Sequence, residues 1–327
     1  MQLISMFTRV IAVTVAVFGF VGSALAAPAV CPDRYTKMVI PQPAGGVGDI
    51  IGRMLAEKVG QILEQPMVVE NRPGASTTIG IAIVAKAKPD GCTNLQLTAT
   101  GVVASVMRKD LPYDLERDLT PVIEIGSLPM VLAVPATSKI QSFSDFKAAA
   151  KTADGLNYST GGSGTMAHLA SLQILKAVGG KGTHVPYKGN APALQGLLAG
   201  DVQFMFPSTA EALPLMQGGK LRVLGVTSDK RLPTFPNVPT MKELGLSDFT
   251  PRLWYVFLVP TDTPPEAVSR LYDAFAKALT DPSIQQRLTA AGFATEVKRS
   301  PEAAAFIKAE AARWKKVVQE NNIKSED

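Results

Sequence analysis

The sequence predicts an α/β protein of two domains, and three observations carry that prediction. Short apolar runs alternate with amphipathic stretches along most of the chain, the pattern of βαβ crossovers and a parallel sheet. Two strand-to-helix connections are rich in small residues, PQPAGGVGDIIGR at Pro41 to Arg53 and STGGSGTMAHLA at Ser159 to Ala170. The chain has 327 residues, too many for one comfortable core and enough for two.

The first residues are MQLISMFTRVIAVTVAVFGFVGSALAAP, with Arg9 in a positive n-region, an apolar run from Ile11 to Val21 and the small-residue end Ala24-Leu25-Ala26. This reads as a secretory signal peptide, residues 1–26, cut after Ala26, and makes the mature protein an exported one. A membrane anchor is the alternative, because the apolar run nearly reaches spanning length. The small-residue end and polar continuation favour cleavage. No cysteine follows the cut at once, which disfavours a lipid anchor, and no later stretch is long and apolar enough to cross a bilayer.

Lys37 to Ile40 is the first expected strand, followed by a helix that opens at Asp49, a good N-cap, and runs through Arg53, Leu55 and Val59. Met67 to Glu70 is a second strand, closed by the turn Asn71-Arg72-Pro73-Gly74. A helix through Ile79, Ile83 and Val84 stops at Pro89-Asp90-Gly91, and a third strand spans Asn94 to Thr100. The middle of the chain repeats this grammar with strands at Met130 to Val134, Leu156 to Ser159, Thr183 to Pro186, Val202 to Phe206 and Leu221 to Thr227. Helices are expected at Phe143 to Lys151, from the second glycine-rich loop onward, and at Pro192 to Leu198. A Pro-rich connection leads to Pro239, and Trp254 to Val259 is apolar enough for a buried strand. Helices over Glu266 to Thr280, Pro282 to Ala291 and Pro301 to Asn321 complete the chain.

The net charge of +5 is spread thinly, with no block of five like charges, which argues against a nucleic-acid partner. Cys31 and Cys92 are the two cysteines, and in an oxidising compartment an even pair suggests a disulfide. Each precedes an expected strand, so two neighbouring parallel strands would bring them to the same sheet end. Two independent buried thiols are the alternative.

A glycine-rich loop between a strand and a helix suits an anion, because backbone N–H groups and the positive end of the helix dipole converge there. Neither loop carries the lysine of a P-loop. Gly46-Val47-Gly48 with Glu70 partly fits a dinucleotide fingerprint, but the third glycine would fall at Ile51. Gly161-Gly162-Ser163-Gly164-Thr165 nearly matches the serine-hydrolase elbow, yet its last glycine is a threonine. His168 and His184 are the two histidines, and neither can be assigned as a base from spacing; His168 reads better as a packed helix residue. No ligand cluster of metal-site spacing appears, so neither metal nor cofactor is expected. What remains is non-covalent capture of a carboxylate by amides and small hydroxyls: Thr98 and Thr100 at the end of the third strand, and Ser159, Thr160, Ser163 and Thr165 in the second loop. These recur at strand C-terminal ends, where open α/β sheets place ligands; singly, each would read equally well as ordinary capping or turn chemistry.

Several segments in order resemble the Bug family of periplasmic solute-binding proteins, the TctC-like receptors of tripartite tricarboxylate transporters. They are PQPAGGVGD, VVENRPGASTTIG, LPYDLERDLTPV, LNYSTGGSGTMAHLA, THVPYKGNAPAL, FMFPSTAEALP, LRVLGVTSDKRLP and KAEAARWKKVVQENNIK. The resemblance implies a type II-like Venus-flytrap of two α/β domains joined by a double-crossing hinge. Domain 1 would comprise 27–129 and 251–327, domain 2 would comprise 130–250, and the crossings would fall near Leu128 to Met130 and Thr250 to Trp254. It implies a periplasmic, monomeric, non-enzymatic receptor for a small organic carboxylate that engages TctA- and TctB-like membrane subunits; an exported sensor of a carboxylate is the alternative. Carried onto this sequence, the cleft would use loops Pro43 to Asp49 and Thr98 to Ser105 from the first domain. From the second would come Thr160 to Thr165, the Tyr187-Lys188-Gly189 turn and Phe206 to Thr209. The expected ligand-binding residues are Pro43, Gly45, Gly46, Val47, Asp49, Thr100, Thr160, Ser163, Thr165, Tyr187, Phe206, Ser208, Arg252 and Trp254, none of them catalytic.

Departures from the family pattern refine this. Gln42, Ala44 and Val47-Gly48 stand where the family often has Phe, Pro and Ser-Thr, so the first loop loses hydroxyl donors and relies on amides and water. Pro207-Ser208 stands where it often has Asp-Asn, which removes a partner for a ligand ammonium and disfavours amino acids. Arg252 is unusual at its place and suits a second carboxylate, or else a solvent-exposed hinge position. Trp254 could stack on an aromatic ring or pack the hinge. A di- or aromatic carboxylate is therefore favoured over amino acids, and an aromatic dicarboxylate of the terephthalate kind would use both residues.

Overall fold

A computed structural model describes residues 30–320; the expected signal peptide lies outside them. The strands are β1 (Thr36–Ile40), β2 (Met67–Asn71), β3 (Thr93–Thr98), β4 (Leu119–Pro129), β5 (Val131–Pro135), β6 (Leu156–Thr160), β7 (Gly182–Pro186), β8 (Leu221–Val226), β9 (Arg252–Pro260) and β10 (Ala294–Arg299). The helices are α1 (Val47–Leu63), α2 (Thr78–Ala85), α3 (Ala99–Met107), α4 (Leu115–Asp118), α5 (Phe143–Ala150), α6 (Met166–Val178), α7 (Asn190–Ala199), α8 (Thr209–Gln217), α9 (Pro265–Leu279), α10 (Pro282–Ala290) and α11 (Ser300–Glu320). None is long and apolar enough to cross a membrane among the described residues.

Two strand sets organise the chain. Six strands form one sheet in the order β10-β4-β9-β3-β1-β2. Its faces are both covered, because successive side chains of a strand point to opposite sides. Met38, Ile40, Tyr255 and Phe257 pack with Leu55 and Val59 of α1 and Phe275 of α9. Val39, Leu95, Leu97, Trp254 and Val256 pack on the other side with α3 and with Ile307 and Trp314 of α11. The second set joins β5–β8 and β6–β7 through a bridging segment: Met205 exchanges two 3.0 Å backbone bonds with Ala133, and Ser159 N–H donates to Phe204 O at 3.3 Å. The chain leaves the first set at Pro129 and returns to it at Arg252.

The α/β class and the alternation of elements agree with the sequence, but the first sheet is mixed rather than parallel. β1 runs parallel to β2 and β3, whereas β9 returns antiparallel between β3 and β4, and β10 lies antiparallel to β4. The strand β4 has no counterpart in the expected elements, because Pro121 and Gly126 interrupt its apolar pattern. The structure absorbs them in two register shifts against β9, the places where a sheet tolerates such residues. The stretch Thr98 to Ser105, expected as a loop, is mostly α3, and Val202 to Phe206 is a bridging segment rather than a full strand. Cys31 and Cys92 are joined as a disulfide. They stand just before the parallel neighbours β1 and β3, at the same sheet end.

Candidate functional site

The first glycine-rich loop follows the C-terminal end of β1, with Pro43, Ala44, Gly45 and Gly46 exposed and Val47 half-buried. The helix begins one turn earlier than Asp49 suggested: Gly46 is the N-cap of α1 and offers no side-chain bond to its first amides. Asp49 instead sits buried in the first turn. Its carboxylate accepts the Gly45 N–H at 2.9 Å, Arg53 Nε at 3.0 Å and Asn71 Nδ2 at 2.9 Å. Burial opposes its ionisation, but the Gly45 amide, Arg53 and Asn71 outweigh it and hold its pKa below the usual carboxylate value. Asp49 therefore shapes the loop and is already engaged on both oxygens.

Polar side chains from neighbouring strands brace the loop from below. Asn71 Nδ2 donates to Gln42 O at 3.1 Å, Gln42 Nε2 to Thr98 Oγ1 at 2.9 Å, and Gln96 Nε2 to Gly48 O at 3.0 Å. Gly48 is required by this crowding: a Cβ there would lie 3.0 Å from Gln42 Oε1, 3.1 Å from Gln96 Nε2 and 3.4 Å from a Tyr255 ring carbon. The residues Gln42, Asn71 and Gln96 were not among the expected site residues. The tie from VENRPG to the first loop is Asn71.

The second loop joins β6 to α6. The Thr160 side chain is buried, its Oγ1 donating to Gly162 O at 3.1 Å, accepting from Gly162 N–H at 3.2 Å and lying 2.6 Å from His184 Nε2. Thr165 is the N-cap of α6, with Oγ1 accepting from His168 N–H and donating to Gly162 O at 2.8 Å. His168 Nδ1 accepts the Gly164 N–H at 3.1 Å. Burial first, and the adjacent His184 second, push the His168 pKa down from 6.5 to about 3. The ring is a neutral, packed brace of the loop.

A cleft opens between the two strand sets, lined by Ser76, Thr100, Ala104, Met107, Arg108, Ser163 and Gly164. About 10 Å³ of it is open to the centre of a water molecule, room for one, so entry of a larger ligand requires the walls to part. Gly164 has φ +74°, and a Cβ on it would stand 3.2 Å from Met107 Sδ, so glycine serves both the turn and the close approach. Among the expected site residues, Thr100 and Ser163 line this cleft. Ser76 and Arg108 were not expected there. Arg108 ends the apolar helix run VVASVM, a visible cue. Ser76 lies in a run of positive φ (Ala75 44°, Ser76 50°, Thr77 81°) that its residue types do not announce.

Four expected side chains are committed elsewhere. Trp254 is completely buried, donates from Nε1 to Glu310 at 2.8 Å and meets Phe306 edge-on at 5.1 Å; it belongs to the core under α11. Phe206 is likewise buried, against Phe204 and Phe249. Ser208 is buried as the N-cap of α8 in a capping box with Glu211. The Tyr187 hydroxyl lies against Gly196 of α7. Arg252 is half-buried on the α11 face of the sheet, its guanidinium 5.8 Å from the centre of the Phe306 ring. That placement does not aim it at the glycine-rich loops.

Comparison with known proteins adds to this geometry. A family model described as "Tripartite tricarboxylate transporter family receptor" matches residues 51–323. The chain is 35% identical over 295 residues to the "UPF0065 protein in tcbD-tcbE intergenic region" of Pseudomonas sp. (strain P51), covering 89% of this chain and 88% of that one. Among solved structures, an R. palustris protein with adipate superposes with a TM-score of 0.83 at 30% identity, covering 90% of this chain and 99% of that one. MatC from Rhodopseudomonas palustris with bound malate gives 0.80 at 30% identity, covering 88% and 99%.

Proposed function

Because the chain belongs to the tripartite tricarboxylate transporter receptor family, whose members are periplasmic binding proteins rather than enzymes, we propose that it is a periplasmic receptor for a small dicarboxylate. The observation that carries this reading is the cleft walled from both strand sets, with Thr100 on one side and Ser163 and Gly164 on the other. Residues 27–129 with 251–327 form one domain and 130–250 the other, hinged where the chain crosses between strand sets. Ligand contacts made to both walls at once favour the closed form, which is what shifts a two-state equilibrium. The exposed Gly46 amide at the uncapped start of α1, the half-buried Ser163 amide and the Thr100 hydroxyl take the carboxylate, since uncapped helix starts attract anions.

The bound malate and adipate of the two related structures support a dicarboxylate. No carboxylate side chain lines the cleft among the described residues, which leaves a ligand ammonium without a partner and disfavours amino acids. A preference for an aromatic ring loses its basis with Trp254 in the core. The closed receptor, a monomer after removal of residues 1–26, presents itself to the membrane subunits of its transporter.

Calorimetry with malate, succinate, adipate, terephthalate, aspartate and glutamate tests the reading. One-to-one binding of at least one non-amino dicarboxylate, with aspartate and glutamate weaker, is expected. Absence of binding across the panel overturns it.

A further inference from the structure

The residues lining the cleft are ordered along one helix. Thr100, Ala104, Met107 and Arg108 recur at a spacing of four, three and one, which is one face of α3. From Thr100 to Arg108 the helix advances roughly 12 Å at about 1.5 Å per residue. One end of that line carries hydroxyls, Thr100 with Ser163 across the gap. The middle is apolar, Ala104 and Met107. The far end carries a guanidinium, the charged side chain among those lining the cleft.

We infer that Arg108 pairs with the distal carboxylate of an α,ω-dicarboxylate whose methylene spacer lies along Ala104 and Met107, an inference that rests on the receptor reading above. The Arg108 side chain is 20% exposed and stands as the C-cap of α3, so its base is fixed while its head faces the cleft. Among the described residues it pairs with the carboxylate of Asp110, at 3.2 Å and 3.4 Å, whose side chain is 75% exposed. A pair with a solvent-exposed carboxylate is weak and exchangeable. A ligand carboxylate held in the closed cleft meets the same planar fork away from water, where a charge-assisted pair is stronger. The hydroxyl end takes either carboxylate; the guanidinium end makes the second one matter.

The test compares adipate with its monomethyl ester on the full mature protein and on Arg108→Gln. In the wild type adipate should bind about ten-fold more tightly than the monoester, and in Arg108→Gln that preference should collapse to about one while monoester affinity stays within about two-fold. Arg108→Lys should keep part of the preference, since it retains charge without the fork. An undiminished preference in Arg108→Gln, or an equal loss of both ligands in a variant with wild-type melting temperature, overturns the assignment. A wild type that binds neither compound nor any other acid of the panel overturns the receptor reading, and this inference with it.

Discussion

The imidazole rings of His168 and His184 stack 3.9 Å apart, tilted by 9°, directly behind the second glycine-rich loop. Each ring touches one end of that loop, His184 at Thr160 and His168 at Gly164. Tyr158 closes the stack on the β6 side, 5.3 Å from His184 and 6.2 Å from His168. With Nδ1 accepting an amide proton, His168 carries its own proton on Nε2 and is neutral.

A pH dependence of stability follows. The unfolded chain takes up a proton at residue 168 near pH 6.5, while the folded chain resists until about 3. Between those values the unfolded state binds the extra proton, so stability falls as pH drops through 6.5 and the loss levels off near 3. From about pH 7 to about pH 5.5 this one group should remove about 1 kcal/mol. His168→Asn keeps an acceptor near the Nδ1 position and does not titrate. Urea unfolding at both pH values should show a shallower pH slope for the variant; equal slopes would mean that His168 titrates normally in the folded state.

Thr165 was a candidate ligand donor by its place in the loop. Its hydroxyl is occupied by Gly162 O and the His168 N–H, so its effect runs through the start of α6. Thr165→Ala should lower stability by about 1 kcal/mol, the usual cost of a lost N-cap, and Thr165→Ser should restore most of it. Thermal melting of the two variants decides this. A large loss of affinity in Thr165→Ala without any loss of stability would place the hydroxyl on the ligand instead.

The parts of the molecule legible in the sequence are those set by local chemistry. The small residues of Pro41 to Gly48 and Ser159 to Thr165 announced loops because turns and close approaches need them, and the two cysteines announced their pairing by standing before parallel strands. Long-range polar braces were not legible. Gln42 with Thr98, Gln96 with Gly48 and Asn71 with Asp49 are separated by 22 to 56 residues, and nothing local distinguishes a bracing glutamine from a solvated one. Side-chain direction was the other failure. Thr160, Thr165 and Ser208 sit where a carboxylate would want hydroxyls, yet capping and turn bonds within their own segments claim them first.

Trp254 and Trp314 both donate to Glu310 Oε2, at 2.8 Å and 2.9 Å, a buried acceptor shared between strand β9 and helix α11. Trp254→Phe removes one of the two donors and leaves the carboxylate under-satisfied in the core. It should destabilise the fold by about 2 kcal/mol, the scale of a lost bond to a buried charged group, with ligand affinity unchanged. Arg252→Gln should likewise leave untouched the ratio of dicarboxylate to monoester affinity, in contrast to Arg108→Gln. Denaturant unfolding paired with calorimetry checks both. A weaker ligand in a fully stable Trp254→Phe would return the indole to the cleft.

The disulfide lies at the opposite end of β1 from the first glycine-rich loop, since Cys31 precedes that strand and the loop follows it. A second restraint lies beside it: Gln65 Nε2 donates to Cys31 O at 2.8 Å, and Cys31 N–H donates to Gln65 Oε1 at 3.3 Å. The native position of Cys31 is therefore held without the sulfur bridge, and the bridge acts mainly on the unfolded chain. For cysteines 61 residues apart the chain-entropy model gives about 4 kcal/mol, an upper figure because strain subtracts. Replacing both cysteines with serine should lower the guanidinium midpoint accordingly, while dicarboxylate affinity of the folded variant stays at the wild-type value. If affinity falls together with stability, the two ends of β1 are coupled through the sheet, and the loop depends on the bridge for its geometry.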